Sequence, residues 1–221
     1  MKRLLLFAAL WLLASAVCFA QATPQPAPPK HPETAKDHFD LAVKRFQAAD
    51  LVGAERSART AIALESHYTE AHYLLGRILL YRAAERNKMM IEGRGAEGAI
   101  LPSEDKWTGG TAELEEAATQ FRIVIKLDPK SGDAWLLLAT CLDNMGEFEE
   151  AESAYRQVFN LDPIAPNARD AHNNLGLLFM KLKKFKEAKA EFDAALTIDP
   201  TFTPARTNLD NLKKAKPGLF K

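Results

Sequence analysis

The sequence has very little cysteine and no excess of charge of either sign. Its 221 residues include two cysteines, and 29 basic residues balance 29 acidic ones. Balanced charge argues against a surface that attracts nucleic acid or an anionic membrane as a whole. So few cysteines form no disulfide framework, so stability must come from packing. With 47% hydrophobic residues, the chain is apolar enough to bury a core.

Long hydrophobic runs are absent after residue 20, and the one before it has the order of a secretory signal peptide. Lys2 and Arg3 precede an apolar run from Leu4 to Val17, and the small residue Ala20 follows. We expect export to the periplasm or the extracellular space, with cleavage after Ala20. An uncleaved membrane anchor is the alternative, although about 17 apolar residues are at the short limit of a membrane span. A lipoprotein signal at Cys18 is the least favoured option, because a branched residue precedes it.

A proline-rich segment follows this leader. Residues 21–34 contain five prolines, which fix the backbone and remove hydrogen-bond donors. We expect an extended linker that spaces the folded domain from its export site.

Motifs for catalysis and metal binding are missing as well. The five histidines never form an HExxH pair, and Cys141 lies in an apolar helical pattern that favours a buried thiol. Gly93, Gly95 and Gly98 have no strand before them and no GK[ST] after them, so a flexible loop is favoured over a phosphate-binding turn. We therefore expect no enzyme activity, no metal and no cofactor.

The sequence does contain one pattern that recurs with constant internal spacing. Its clearest copy consists of Trp135, Leu138, Ala139, Leu142, Ala151, Tyr155 and Pro163. The next copy consists of His172, Leu175, Gly176, Phe179, Ala188, Phe192 and Pro200, with the same 16-residue step to its alanine. Small residues at these positions allow two helices to approach, and the large ones fill the space beside the contact.

Two earlier copies are less regular. His38 and His72 begin similar patterns 34 residues apart, but the second half of the His72 copy arrives 29 residues late, at Ala117, Phe121 and Pro129. The His38 copy departs from the pattern at Arg45, Ala58 and Ser66.

These residues resemble the tetratricopeptide repeat family, whose units are helix-turn-helix pairs of about 34 residues. The resemblance covers roughly residues 35–202 and implies an all-α, right-handed α-solenoid of four repeats with a C-terminal capping helix. The predicted domain spans 35–216 and leaves a tail at 217–221. Its repeats are predicted at 35–68, 69–131, 132–168 and 169–202, and its cap at 203–216.

Charge changes sign between equivalent positions of adjacent repeats. Glu147, Glu149 and Glu152 recur 37 residues later as Lys184, Lys186 and Lys189. This alternation favours a ladder of exposed ion pairs over an acidic or basic docking site. Three further glutamates are expected on a solvated helix face, namely Glu113, Glu115 and Glu116.

The resemblance also implies a concave groove, lined by the first helix of each repeat, in which family members bind ligands. This groove is aromatic at one end and amide-rich at the other, and the Lys/Arg/Asn clamp of some family members is not matched. An apolar helix or extended peptide is the expected ligand. The inward positions are Phe39, Val43, Phe46, Gln47, Tyr73, Arg77, Leu80, Tyr81, Leu136, Thr140, Asp143, Asn144, Asn173, Leu177, Met180 and Lys181.

The second repeat carries an insertion at about residues 83–111. Its five glycines and Pro102 predict a loop without long regular structure, yet it is too apolar for a plain linker. The sequence leaves open whether this loop folds onto the groove edge or binds a partner. The apolar side chains expected to make these contacts are Ile100, Leu101 and Trp107.

The expected function is an exported scaffold or adaptor that binds a peptide or helix of another protein in its groove. A membrane-anchored structural subunit of an envelope complex is the alternative. The expected partner is a protein or peptide, with self-association left open and nucleic acid excluded. Membrane contact is expected only if the leader is retained.

Overall fold

The computed structural model describes residues 34–95 and 110–220, with side chains for 34–88 and 110–220. These residues form nine α-helices and a short 3₁₀ turn, and they contain no strand. The leader predicted at 1–20 and nearly all of the predicted linker lie outside the described residues. The same holds for Ile100, Leu101 and Trp107 of the insertion.

The helices form four hairpins followed by a single helix. In chain order they are α1 (Ala35–Gln47), α2 (Leu51–Leu64), α3 (Thr69–Gly95), α4 (Thr111–Leu127), α5 (Gly132–Met145), α6 (Phe148–Leu161), α7 (Pro166–Lys181), α8 (Phe185–Ile198) and α9 (Thr203–Ala215), and the 3₁₀ turn is Pro217–Phe220. In each hairpin the first helix packs against the second. Consecutive first helices also touch, whereas consecutive second helices make no comparable contact. The first helices α1, α3, α5 and α7 therefore line the inner face, and the predicted all-α solenoid is confirmed for the described residues.

A left-handed residue makes the turn in three of the hairpins. Ala49 has φ of 60°, Gly146 has 84° and Lys183 has 58°. The three positions are equivalent in the repeat pattern, since 183 follows 146 by the same 37 residues that separate the helix landmarks. Glycine adopts this conformation at no steric cost, whereas alanine and lysine do so under strain.

The second and fourth hairpins each close around a glycine that faces an aromatic ring. A Cβ atom on Gly76 would lie 2.8 Å from the ring of Phe121, and one on Gly176 would lie 2.5 Å from the ring of Phe192. Both rings are fully buried. The predicted role of the small residues is thus confirmed, because a larger side chain would force the two helices apart.

The first residue of the second and third copies, and the equivalent residue of the cap, bind the turn that precedes their helix. The indole Nε1 of Trp135 donates to the carbonyl of Pro129 at 3.2 Å, and Nε2 of His72 donates to the carbonyl of Ser66 at 3.1 Å. Arg206 in the cap makes the same contact with the carbonyl of Pro200. In all three cases the acceptor lies six residues before the donor, so one hydrogen bond repeats along the stack.

The irregular first repeat has a polar contact of its own. Arg45 replaces the usual apolar residue, and its Nη1 donates to the carbonyl of Gly53 at 3.1 Å and to the hydroxyl of Ser57 at 3.0 Å. Both acceptors belong to α2, so Arg45 joins the two helices of the hairpin. The departure from the pattern is therefore a substitution of hydrogen bonds for apolar packing.

The insertion differs from its prediction over its first half. We expected residues 83–111 to lack long regular structure, but α3 continues without a break to Gly95. The described chain then resumes at Gly110, which has φ of 79° and packs directly on Ala83. Glycine is needed at this position, because a Cβ there would lie 2.7 Å from the Cα of Ala83.

Candidate functional site

The inner face carries a pocket of about 580 Å³ at the N-terminal end of the solenoid. Its walls come from the first helices of the first two repeats and from the junction between α4 and α5. Thirteen residues line it: Phe39, Val43, Phe46, Gln47, Thr69, Glu70, Tyr73, Leu74, Arg77, Val124, Asp128, Ser131 and Asp133. Six of these are inward positions that the family resemblance implied, namely Phe39, Val43, Phe46, Gln47, Tyr73 and Arg77.

Aromatic rings in and around the pocket contact one another. Phe39 packs on Tyr68 with 5.2 Å between ring centroids, and Phe46 meets Tyr81 edge to face at 5.6 Å. Tyr81 does not line the pocket, and 57% of its surface is exposed. Large aromatic side chains that offer rigid, partly exposed surface are typical anchors for a bound segment.

Tyr73 belongs to the pocket and to the core at once. Its ring lies 6.0 Å from that of Phe121, which is the buried partner of Gly76. The pKa of the Tyr73 hydroxyl is raised, first by burial and then by the nearby charge of Asp133. Replacement of Tyr73 therefore disturbs packing as well as the surface of the pocket.

Arg77 forms part of the pocket wall through its contacts with two aromatic rings. Its guanidinium carbon lies 5.3 Å from the centre of the Phe46 ring and 5.8 Å from that of Tyr73. Cation–π contacts of this length hold the planar head group against the rings. Arg77 therefore lies beside apolar surface.

The pattern did not identify the acidic residues of the pocket. Glu70 lies in the first turn of α3, Asp128 follows α4 directly, and Asp133 lies in the first turn of α5. They belong to separate element ends, so no periodic spacing marks them as neighbours. An acidic residue at a helix start also has an ordinary structural explanation in the helix dipole.

The predicted amide-rich half of the groove is largely occupied by internal contacts. Asn173 is buried and accepts a hydrogen bond from Asn208 of α9 at 2.9 Å. Lys181 pairs with Asp143 at 2.8 Å, and Thr140 donates to the carbonyl of its own helix at Leu136. Asn144 is half-buried and Leu177 is 37% exposed. The structure does not bring these residues into the pocket of the first two repeats.

The residues considered for chemistry have structural environments. Cys141 is fully buried, and burial raises the pKa of its thiol to about 12. The ring of His172 stacks on Phe159 with centroids 4.2 Å apart, and its Nδ1 lies 2.6 Å from Glu191. No group of three or more His, Cys, Asp or Glu side chains among the described residues is placed to hold a metal ion.

Two predictions about surface charge are wrong. Glu113 is buried, with 9% exposed, and its carboxylate pairs with Arg86 at 2.6 Å. The predicted ladder between Glu147–Glu152 and Lys184–Lys189 does not form: Glu152 pairs with Arg156 and Lys189 with Asp193, each within its own helix. Adjacent hairpins are joined by other pairs, including Arg59–Glu116, Arg122–Glu150 and Lys181–Asp143.

Comparison with known families agrees with this geometry. Two tetratricopeptide repeat models match the sequence, one at residues 112–175 and one at residues 170–202. Together these matches cover residues 112–202. The described tetratricopeptide fold contains no helix with the length and apolar character of a membrane span.

Solved structures share the tetratricopeptide fold at low sequence identity. The crystal structure of MamA protein is 19% identical, with a TM-score of 0.62 over 86% of this chain and 85% of that one. TTC0263, a thermophilic tetratricopeptide protein in Thermus thermophilus, is 16% identical, with a TM-score of 0.60 over 82% of each chain. Among curated proteins, the general transcriptional corepressor trfA of Dictyostelium discoideum is 27% identical over 93 residues. These are 41% of this chain and 6% of that protein, so the chain spans a small part of this relative.

Proposed function

We propose that this protein is an exported, non-enzymatic scaffold that holds a peptide or helical segment of another protein against α1 and α3. The pocket of about 580 Å³ on the inner face carries this proposal. Tetratricopeptide repeats generally mediate contacts between proteins. In this chain the inner face of the first two repeats offers a concave surface with aromatic walls, which is the form that a peptide groove takes.

The internal contacts of the second half of the groove support this placement. Asn173, Lys181 and Asp143 already have partners within the chain, so a ligand there would have to replace existing bonds. Phe39 packs on Tyr68, and Phe46 packs on Tyr81 and under the guanidinium of Arg77, so these are ring contacts and not hydrogen bonds. A ligand can cover this surface without breaking a hydrogen bond.

A photo-crosslinking amino acid at Tyr81 tests the position of the partner. The residue is exposed and touches Phe46, so a segment in the pocket would lie within reach. Arg56, exposed on α2, is the matched control because second helices lie away from the inner face. In the native host we expect a discrete adduct from position 81 and none from position 56. Phe39→Ala should reduce the adduct at unchanged helicity.

Export is tested separately by the N-terminus of the mature protein. The order of Lys2, Arg3 and the apolar run supports cleavage after Ala20. Protein isolated from the envelope or the medium should therefore begin at Gln21 by intact mass. Envelope protein that retains Met1 would favour the uncleaved anchor, and protein that stays in the cytoplasm would refute export. Both outcomes leave the groove proposal intact. No observation on the described residues favours the alternative of an anchored structural subunit.

A further inference from the structure

The acidic side chains of the pocket have no ion-pair partner. Glu70, Asp128 and Asp133 all line it, and none of them forms an ion pair with another residue of the described chain. Asp128 accepts a hydrogen bond from the backbone of Lys130 at 3.1 Å, and Asp133 accepts one from the amide of Asn167 at 3.2 Å. Both donors are neutral, so no full positive charge of a side chain is paired with these carboxylates in the described chain.

The pocket has only one cation among its described lining residues, and that cation is held at the other end. The guanidinium of Arg77 lies over Phe46, near the C-terminus of α1, and over Tyr73, and Arg77 itself is about two turns from the start of α3. Glu70 and Asp133 lie in the first turns of α3 and α5. Three carboxylates against one guanidinium leave the pocket net negative, with the excess at the starts of α3 and α5 and at the end of α4.

The apolar surface lies directly beside this acidic end. Tyr73 follows Glu70 by three residues on α3, which is about one helical turn or about 5 Å. Val43, Leu74 and Val124 complete the apolar lining. A bound segment would therefore contact the apolar surface with one side chain and the negative charge of the acidic residues with another side chain about one helical turn away.

We propose that the pocket selects a protein segment that carries an apolar side chain and, about one helical turn or two extended residues away, a lysine or arginine. The apolar side chain rests against Phe46 and Tyr73, and the basic group reaches Glu70, Asp128 and Asp133. This inference rests on the proposed function and specifies its partner. A segment with acidic side chains, or a free C-terminal carboxylate at this end, is repelled by like charge.

Selection from a random library of twelve-residue peptides tests the inference without knowledge of the native partner. The full-length protein is immobilised, and the same library is selected on a Phe39→Ala/Tyr81→Ala variant. Peptides enriched only on the parent chain are pocket ligands. We expect them to pair an aromatic or aliphatic residue with a lysine or arginine two to four positions away, and to be poor in Asp and Glu.

The charge of the pocket is then tested with one enriched peptide by fluorescence anisotropy. A Glu70→Gln/Asp128→Asn/Asp133→Asn variant should bind about fivefold or more weakly, and raising the salt concentration should weaken the parent but hardly the variant. The matched control is Glu115→Gln/Glu149→Gln/Glu187→Gln, which removes three exposed carboxylates elsewhere. It should bind as the parent does. Helix content and urea midpoints of all variants show whether the fold is kept.

The outcomes separate the inference from the proposed function. Pocket ligands without a basic residue, or equal affinity for both triple variants, would overturn the charge preference and leave the scaffold proposal standing. If the selection yields no peptide whose binding depends on Phe39 and Tyr81, both the charge preference and the scaffold proposal are overturned. Enrichment that appears only after residues 21–33 are removed would make that segment the occupant instead of another protein. A parent dimer that dissociates in the Phe39→Ala/Tyr81→Ala variant would make the occupant a second copy.

Discussion

Gly176 lies so close to Phe192 that a Cβ atom on the glycine would come within 2.5 Å of the ring. The ring is fully buried, so it has no space into which it can move. We expect Gly176→Ala to lower the free energy of unfolding by about 1–3 kcal/mol through overpacking, measured by urea denaturation. Gly218→Ala is the control, because its Cβ would meet nothing within 4 Å. Equal midpoints for the two variants would contradict the assigned contact.

The equivalent turns at Gly146 and Lys183 predict opposite effects of reciprocal substitutions. Both residues have positive φ, 84° and 58° respectively. Lys183→Gly should stabilise the protein by up to about 1 kcal/mol, because it relieves the left-handed strain of a residue with a side chain. Gly146→Ala should destabilise it by a similar amount, although no atom blocks the new methyl group. Thermal melts of both variants measure the effect, and two shifts of the same sign would argue against a strained turn.

The repeated bond to the carbonyl six residues earlier predicts the effect of removing one donor. Trp135→Phe keeps an aromatic ring but loses the N–H that binds the carbonyl of Pro129. The expected loss is about 0.5–1.5 kcal/mol, the usual net contribution of one hydrogen bond. The matched control is Trp107→Phe in the insertion, which leaves this bond in place. A Trp135→Phe variant as stable as the parent would show that the bond contributes nothing to the stack.

The buried thiol of Cys141 predicts a loss of stability at high pH. Its pKa is raised from 9.0 to about 12 by burial, so between these values the unfolded chain loses a proton that the folded chain keeps. The contribution is fully present below pH 9 and is lost as the pH rises from there through the folded pKa. The slope is at most about 1.4 kcal/mol per pH unit. Cys141→Ala should flatten the decline in urea midpoints above pH 9. Burial also raises the pKa of Tyr155, so the part of the decline that is due to Tyr155 should remain in this variant. An unchanged decline would show that the thiol is not responsible.

The sequence predicted the elements that local spacing determines. The contacts between Gly76 and Phe121, and between Gly176 and Phe192, follow from one 16-residue step once the insertion is allowed for. Six of the pocket residues were found through the family resemblance, which implies the inward positions of each first helix. The first-repeat exception at Arg45 was visible as a mismatch, and its partners on α2 were not.

Other features depend on contacts that no periodic spacing records. Asp128 and Asp133 reach the pocket because α4 ends and α5 begins beside α3. Glu113 is buried because Arg86 is present on the extended part of α3. That extension was not predicted, since each glycine in a helix costs about 1 kcal/mol and several occur between residues 93 and 110.

The contact between Gly110 and Ala83 fixes where the inserted segment leaves and rejoins the solenoid. Ala83, where the segment begins, and Gly110, where it ends, lie side by side. The number of residues between them therefore does not affect the spacing between the second and third repeats. Mutation can therefore lengthen, shorten or replace the part of this segment beyond Arg86 over evolutionary time, while the contact of Gly110 with Ala83 and the ion pair of Arg86 with Glu113 are kept. For protein engineering, the same junction is a natural position at which to insert a reporter domain, or to open the chain for circular permutation.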